Sequence, residues 1–428
     1  MDANSPSHRK MGTRRSSFWP WLAWCLWLVT ALAPAAELTV HGFGTIGVAY
    51  LDKPADWAYS RALNQRTSED AFRADLDTVL GLQANYRPSQ TLELVGQVSA
   101  SALDREAPLS EFVELAFLAW RPDQNWSVRL GRVNLDAYLI SNHRDVGYTY
   151  PFIRPPVEFY ARSPTSLDGG DVTRTWDSGS TQWQAKLFAG RTAGGTGDGR
   201  LRLSPVVGLM VSRESDGLLL RISAVHARSA NDIVALKPLL AALQQVQMLP
   251  DPQVAQEAAG MQTLLTYRGT STNYVAAAAA YDRHDWLLSA EINRSTVKGN
   301  PTIGFTSGYA SVGRRFGSLS VNLTESGTDR RSGAFHAPDW ETALAYMGSG
   351  QAQQFQAIAD GAAIAINTNA GHQFTTSLGV RWDVNARLAL KAQLDRVRTP
   401  RNGSALWNLA DQRPAVSHVM AVAADFVF

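Results

Sequence analysis

The sequence of 428 residues contains a single cysteine, Cys25, which lies in an apolar stretch near the N-terminus. One cysteine cannot form an intramolecular disulfide, so this form of stabilisation is excluded. The histidines are scattered along the chain without the short spacings that metal ligands show. No glycine-rich segment follows a strand pattern and opens a helix, as a phosphate-binding loop would. We therefore expect no metal and no cofactor.

Long apolar runs are absent beyond the N-terminus. Residues 1–36 have the pattern of a signal peptide, with a basic segment at 9–15, an apolar segment at 18–32 and small residues at 33–35. We predict that this leader is removed on export and that residues 37–428 form the mature protein. After the leader no stretch of about 18 apolar residues occurs, which excludes a membrane-spanning helix.

The chain also lacks a large excess of charge of either sign, with Lys+Arg 40 and Asp+Glu 38. The predicted leader contains four of the basic residues and one acidic residue. Its removal leaves the mature chain with a net charge of about −1, which is close to neutral for a chain of this length. Nothing in this balance favours binding of nucleic acid. The hydrophobic fraction of 45% and the 13 Trp are sufficient for a large β-structure.

Apolar and polar residues alternate with a period of two over much of the mature chain, as in half-buried β-strands. The alternation predicts sixteen strands, at approximately 38–51, 71–86, 91–101, 111–120, 125–133, 171–177, 181–190, 203–213, 218–227, 273–282, 286–296, 303–315, 318–325, 372–383, 387–397 and 415–428. Short links alternate with long loops, so one end of the structure carries tight turns and the other carries loops. The predicted fold is all-β, a 16-stranded antiparallel transmembrane β-barrel that is closed because a bilayer tolerates no unpaired backbone.

The two faces of the predicted strands differ in chemistry. The apolar face carries tryptophans beside the short turns, as the aromatic girdle of a membrane barrel does; they are Trp126, Trp183, Trp286 and Trp382. The opposite face carries charged and amide side chains along most strands. A soluble barrel of this width would fill its interior with apolar side chains, so the sequence predicts a water-filled lumen.

Several short segments together resemble Gram-negative outer-membrane porins. They are Gly42-Phe43-Gly44, Leu130-Gly131-Arg132, Tyr281-Asp282 with Trp286 and Glu291, the loop 148–160, the hairpin 378–396 and the C-terminal strand. That strand places Phe426 and the terminal Phe428 on its apolar face, and it resembles the signal that the barrel-assembly machinery recognises. The resemblance implies a homotrimer in the outer membrane, in contact with membrane lipid and lipopolysaccharide, through which small hydrophilic solutes and ions diffuse passively.

The third long loop, residues 134–170, is the predicted functional element. In porins this loop folds into the barrel and narrows it, and Pro155-Pro156 would stiffen its path. Charges of opposite sign across a narrow gap would set up a field that orients polar solutes, although loop charges at the rim would instead lie in water. The candidate constriction residues of loop and wall are Arg144, Asp145, Arg154, Glu158, Asp168, Arg73, Arg129, Arg221, Arg314 and Lys391.

Two further long loops, 229–271 and 339–364, contain apolar or alanine-rich segments that predict a short helix in each. Pro238 is expected to interrupt the first turn of the earlier helix. These helices would either cap the mouth of the barrel or, as the more ordinary alternative, pack on the rim or on a neighbouring subunit.

The main alternatives to a channel are an adhesin or structural barrel and a barrel enzyme of the lipase or protease type. A lipase-type barrel needs a His and a Ser together on the lipid-facing side near the loop end. His418 has that orientation in the predicted strand, but none of the neighbouring outward positions holds a serine. We therefore predict that the protein is not an enzyme.

Overall fold

The computed structural model describes most of the predicted mature chain. The described residues are 37–52, 57–59, 61, 65, 68, 70–101, 109–161, 164–195, 199–300, 304–329, 335–367, 372–399, 407–409 and 414–428. The predicted signal peptide, residues 1–36, lies outside the described residues.

Sixteen antiparallel strands of the described chain form one closed barrel, in which each strand pairs with its neighbours in sequence. Strands β1 to β16 are Glu37–Leu51, Val79–Arg87, Leu92–Ser101, Val113–Trp120, Trp126–Asn134, Ser166–Ser178, Thr181–Gly194, Leu201–Ser215, Leu218–Ser229, Ser271–Arg283, Trp286–Lys298, Phe305–Phe316, Leu319–Asp329, His372–Asn385, Leu388–Thr399 and Ala415–Val427. The short segment Phe72–Arg73 pairs with β1 ahead of β2. All sixteen strands are present at the predicted places. The predicted strand 71–86 is interrupted, however, because residues 74–78 separate Phe72–Arg73 from β2, and β6 begins at Ser166, earlier than the predicted 171.

β1 and β16 close the barrel, and glycines make room for the C-terminal aromatic rings. Gly44 lies directly opposite Phe426, and Gly42 exchanges two backbone hydrogen bonds with Phe428 at 2.8 and 2.9 Å. A Cβ on Gly42 would lie 2.1 Å from the Phe428 ring, and one on Gly44 would lie 2.5 Å from the Phe426 ring. The terminal aromatic rings therefore pack against the Gly42-Phe43-Gly44 segment, one of the segments that resemble porins.

Tight turns and long loops occupy opposite ends of the barrel, as predicted. The turn after β8 has positive φ at Asp216 (51°) and Gly217 (75°), and the turn after β10 has it at His284 (52°) and Asp285 (65°). Positive φ at both central residues is the geometry of a type I′ hairpin turn, whose twist matches that of the flanking strands. The connections at the other end are the long loops.

The outer face of the barrel is apolar and exposed, whereas the inner face is polar. In β15, Leu390 is 40% exposed and Lys391, next to it, is 4% exposed, so the two side chains point to opposite sides. Trp126, Trp286 and Trp382 are exposed on the outer face beside the short turns. This arrangement matches the lipid-facing band and aromatic girdle of a transmembrane barrel.

The third loop, described at 135–161 and 164–165, folds into the barrel interior. It contains the single-turn helix α1, Val157–Tyr160, and its apolar side chains pack on the inner wall. The Phe159 ring meets Tyr309 of β12 edge-on with centroids 5.6 Å apart. Farther round the wall, Ile153 and Val157 belong to a buried cluster with Val397 of β15.

Helices form in both of the other long loops, as predicted, and they pack on one another. α2 (Lys237–Val246) and α3 (Pro252–Leu265) lie between β9 and β10, and α4 (Trp340–Ala343) and α5 (Ser349–Asn367) lie between β13 and β14. One buried cluster joins them, and the Trp340 Nε1 donates to Glu257 at 2.8 Å. Pro238 lies in the first turn of α2, where its missing N–H is not needed, so the predicted interruption is wrong.

None of the helices in the described part of the chain is long and apolar enough to cross a bilayer.

Candidate functional site

Arg154 attaches the third loop to the barrel wall through two carboxylates. Its Nε and Nη2 donate to the two oxygens of Asp77 at 2.9 and 2.6 Å, and its Nη1 donates to Asp395 of β15 at 2.6 Å. All three side chains are almost completely buried. A buried guanidinium with two carboxylates is a strong attachment, because its hydrogen bonds are charge-assisted and have little competition from water.

Asp136 attaches the beginning of the same loop to the opposite side of the wall. Its carboxylate accepts hydrogen bonds from Lys186 of β7 and from Arg221 of β9. Arg221 also donates to the Asp136 backbone carbonyl at 2.8 Å. Burial alone would raise the pKa of Asp136, but Lys186 and Arg221 outweigh it and lower that pKa to about 2. The carboxylate is therefore charged throughout the physiological range.

Lys391 holds the middle of the loop by its backbone. Its ammonium group donates to the carbonyls of Gly147 and Phe152 at 2.7 and 2.9 Å, and it forms an ion pair with Asp425 of β16 at 2.7 Å. A Cβ on Gly147 would lie 2.3 Å from an Asp425 oxygen. Only glycine allows the loop to approach the wall this closely.

Two further carboxylates join the loop to the wall through neutral donors. Glu158 of α1 accepts hydrogen bonds from Ser326 at 2.7 Å, from Gln373 at 2.5 Å and from Thr375. In the reverse direction, the wall residue Glu291 accepts from the Leu139 backbone at 2.8 Å and from the hydroxyls of Tyr160 and Tyr309. The loop is thus bonded to strands on several sides of the interior.

The candidate residues of the sequence analysis fall into groups in the structure. Arg154, Glu158, Arg221 and Lys391 face the interior and bind the loop to the wall, so their charges do not line an open gap. Arg73 also faces inward, in a 2.9 Å ion pair with Asp75. Three candidates remain half-buried in the interior, where they have access to water; they are Arg129, Arg144 and Asp145.

Arg129 and Arg144 are positioned by aromatic and polar neighbours. Arg129 forms an ion pair with Asp171 at 2.6 Å, and its guanidinium lies 5.1 Å from the centroid of the Phe117 ring. Arg144 donates to the Tyr160 backbone carbonyl at 2.6 Å. Stacking and hydrogen bonding of this kind fix the direction of a guanidinium.

Two candidates lie on the outer face, so the prediction that they face the lumen is wrong. Arg314 lies opposite Trp286 in the β11–β12 pair, with its guanidinium 5.2 Å from that ring. At the other end of β12, Phe305 lies opposite the buried Ser295, so the alternation turns Arg314 outward. Asp168 follows the buried Leu167 in β6 and points outward.

The other attachment residues could hardly be recognised from the sequence. Asp77, Asp136 and Asp395 each complete a buried ion pair, yet in the sequence they are isolated acids among many. Their partners lie far away along the chain; Arg154 and Asp395 are 241 residues apart. Only the inward orientation of Asp77 and Asp395 in the strand pattern was a usable signal. In the described chain no group of three or more potential ligands is placed to hold a metal ion.

The fold is found among solved structures, whereas no protein-family model and no curated protein matches the chain. An anion-selective porin from Comamonas acidovorans aligns with a TM-score of 0.53 at 12% identity, over 92% of this chain and 100% of that one. The outer membrane channel DcaP of Acinetobacter baumannii aligns at 0.51 and 11%, over 92% and 98%. OmpF of Salmonella typhi, in complex with daunomycin, aligns at 0.51 and 12%, over 91% and 97%. The chain has the porin-type barrel fold.

Proposed function

We propose that this protein is a porin of the outer membrane that lets small hydrophilic solutes and ions diffuse through its interior. The observation that carries the proposal is the third loop, which crosses the interior of a wide barrel and is bonded to its wall by buried charges. An apolar, exposed outer face and a polar interior agree with a channel embedded in lipid. Low-identity similarity to porins supports the fold, and the transport activity itself is our inference.

In this proposal, selectivity comes from the half-buried charges of the interior and not from the attachment residues. Paired buried charges largely cancel each other's field, and Arg129 is itself paired with Asp171, whereas the half-buried Arg144 and Asp145 keep contact with water and act on passing solutes. The preference of the channel for anions or cations is set by the positions of these charged side chains along the path of the solute.

We also propose the remaining features that the porin resemblance implies. They are export with a cleaved leader at 1–36, insertion by the barrel-assembly machinery through Phe426 and Phe428, contact with membrane lipid and lipopolysaccharide, and a homotrimeric assembly. The exposed Phe428 ring, stacked near Phe426 at 6.4 Å, is accessible as an assembly signal.

A catalytic role is not part of the proposal. His418, the residue that a lipase-type barrel would use, forms a 2.8 Å contact with Asp52. Ser417 donates to the same carboxylate at 2.6 Å, and its side chain is buried on the inner side. A serine nucleophile needs a hydrogen bond to the histidine base, and here both side chains bind the acid instead.

Conductance in planar lipid bilayers tests the proposal. Purified full-length protein, processed at its natural leader, should give discrete single-channel steps and a reversal potential under a salt gradient. Folded protein that inserts in the bilayer and never conducts would favour the adhesin or structural barrel instead.

A further inference from the structure

A cavity of about 700 Å³ opens at the loop end of the barrel, where the third loop leaves β5 and returns to β6. Arg132 of β5 and Thr165, next to β6, both line it, and the rest of its lining comes from β4, β7, β8 and the segments beside them. We call it the rim cavity. Its lining is rich in hydroxyl groups, which belong to Ser110, Thr165, Ser166, Thr192 and Ser204.

Most of the charged groups in the rim cavity neutralise one another. Arg132 binds Asp168 at 2.6 Å, and Arg191 lies directly opposite the same residue in the β6–β7 pair. Arg200 binds Glu111 at 2.8 Å. These five side chains therefore build the walls of the cavity rather than attract a ligand of one sign.

Glu114 of β4 and Arg202 of β8 are the two charged lining residues outside these pairs. Glu114 is half-buried and accepts a hydrogen bond from the Ser99 hydroxyl at 3.0 Å, and Arg202 is exposed. Among the described residues neither side chain forms an ion pair. One carboxylate and one guanidinium are thus available for charge-assisted hydrogen bonds to a ligand that carries both signs.

The rim cavity also borders the third loop. Arg144 and Asp145 of this loop lie close enough to Glu114 to act on its carboxylate, and their effects have opposite signs. These are the two half-buried charges that act on solutes in the proposed channel. A ligand bound at Glu114 would therefore lie beside the path of the solute.

The spacing of the two free charges sets the length of the ligand. β4 and β8 are separated by three strands, and with neighbouring strands about 4.8 Å apart their backbones are about 19 Å apart along the wall. The two side chains shorten this distance. A free amino acid carries both charges on one carbon atom and is too short to reach both, whereas an extended peptide of three residues spans about 10 Å.

We propose that the rim cavity binds short peptides with free termini, with the terminal ammonium group at Glu114 and the terminal carboxylate at Arg202. The hydroxyl groups of the lining would hydrogen-bond the peptide groups between them. The proposal rests on the channel function proposed above, and it adds a solute class and a site at which that solute is held before it enters the channel.

The test measures binding of three peptides to full-length protein in detergent by isothermal titration calorimetry. They are trialanine, N-acetyl-trialanine, which lacks the ammonium group, and trialanine amide, which lacks the carboxylate. Wild-type protein should bind trialanine at least about tenfold more tightly than either blocked peptide. Glu114→Gln should lose only the discrimination against the acetylated peptide, and Arg202→Gln only that against the amide, because each variant lacks the partner of one terminus.

The matched controls are Glu325→Gln and Arg228→Gln. Both residues are exposed, and neither belongs to the lining of the rim cavity. Each control removes the same charge as one of the test variants, so it separates a local effect from a change in net charge. Both controls should retain the full wild-type discrimination. Heat-modifiable migration on gels verifies that every variant is folded.

Several outcomes would overturn the peptide site. They are an absence of trialanine binding in the wild type, equal affinities for the three peptides, loss of both discriminations in either test variant, and the same losses in the controls. Conductance of the same preparations separates the two proposals. A conducting protein without peptide discrimination contradicts only the peptide site, and a silent protein that retains it contradicts only the channel.

Discussion

Arg154 donates three hydrogen bonds to Asp77 and Asp395 from a position to which water has almost no access. Charges removed from water are stabilised only while each has its partner. Replacing one partner of such a pair therefore leaves an unpaired buried charge and lowers the stability of the fold. The same logic applies to Asp136 with Lys186 and Arg221. At the scale of single residues, the charges of the third loop act chiefly in attachment.

Removing Arg154 should therefore destabilise the protein strongly. Arg154→Ala leaves two buried carboxylates without their main partner, and we expect a loss of about 3–5 kcal/mol in the free energy of unfolding. Urea titration of protein folded in lipid vesicles measures this value. The control Arg315→Ala breaks an exposed ion pair with Asp282 and should cost about 0–1 kcal/mol. Equal effects of the two substitutions would show that Arg154 is not an attachment residue.

Acid should weaken the attachment that Asp136 provides. Because its folded pKa of about 2 lies below the ordinary value of about 3.9, its stabilisation is complete above about pH 5 and is lost as the pH falls through about 2. This contribution is roughly 2–3 kcal/mol. The unfolding free energy of wild type should fall by this additional amount between those pH values relative to Asp136→Asn. Parallel pH profiles would contradict the assignment.

At the scale of elements, the barrel closes where β1 and β16 pair and two aromatic rings of the C-terminal segment pack against glycines of β1. Gly42 and Gly44 in β1 have no side chains, and the rings of Phe428 and Phe426 occupy the space that side chains at these positions would need. The pairing of β1 with β16 joins strands that are farther apart in sequence than those of any other pair in the barrel. Its stability thus depends on contacts that neither strand can form alone.

Adding one methyl group at this seam should impair folding. Gly44→Ala would place a Cβ 2.5 Å from the Phe426 ring, and we expect a cost of about 1–3 kcal/mol and less heat-modifiable protein in the membrane. Gly96→Ala in β3 is the matched control, because nothing lies within 4 Å of its added Cβ. Similar folding yields of both variants would show that packing of the Phe426 ring does not require a glycine at position 44.

At the scale of the whole molecule, the sequence predicted the barrel well and the site less well. A period of two is a local signal, so all sixteen strands and the opposite directions of Leu390 and Lys391 could be predicted. Arg314 was assigned to the wrong face, because an error of one position in an alternating strand moves every side chain to the other face. The partners of Arg154 and Asp136 could not be predicted, since only the closed barrel brings them together.

The helices in the two outer loops show the same limit. Their apolar spacing predicted that helices form, but not what they pack against. Leu243, Met261 and Ile366 lie in one cluster with Trp340, so the two loops stabilise each other rather than needing a neighbouring subunit. Contacts between loops that are far apart in sequence leave no periodic signal in either loop.

The central claim is that the third loop is held inside a conducting barrel and narrows it, and single-channel conductance in planar bilayers tests it most directly. Protein lacking residues 148–160 loses the Arg154 and Glu158 attachments together with the backbone that Lys391 holds, so its conductance should rise above that of wild type because the loop no longer fills the interior. A folded deletion variant whose conductance equals that of wild type would contradict the claim.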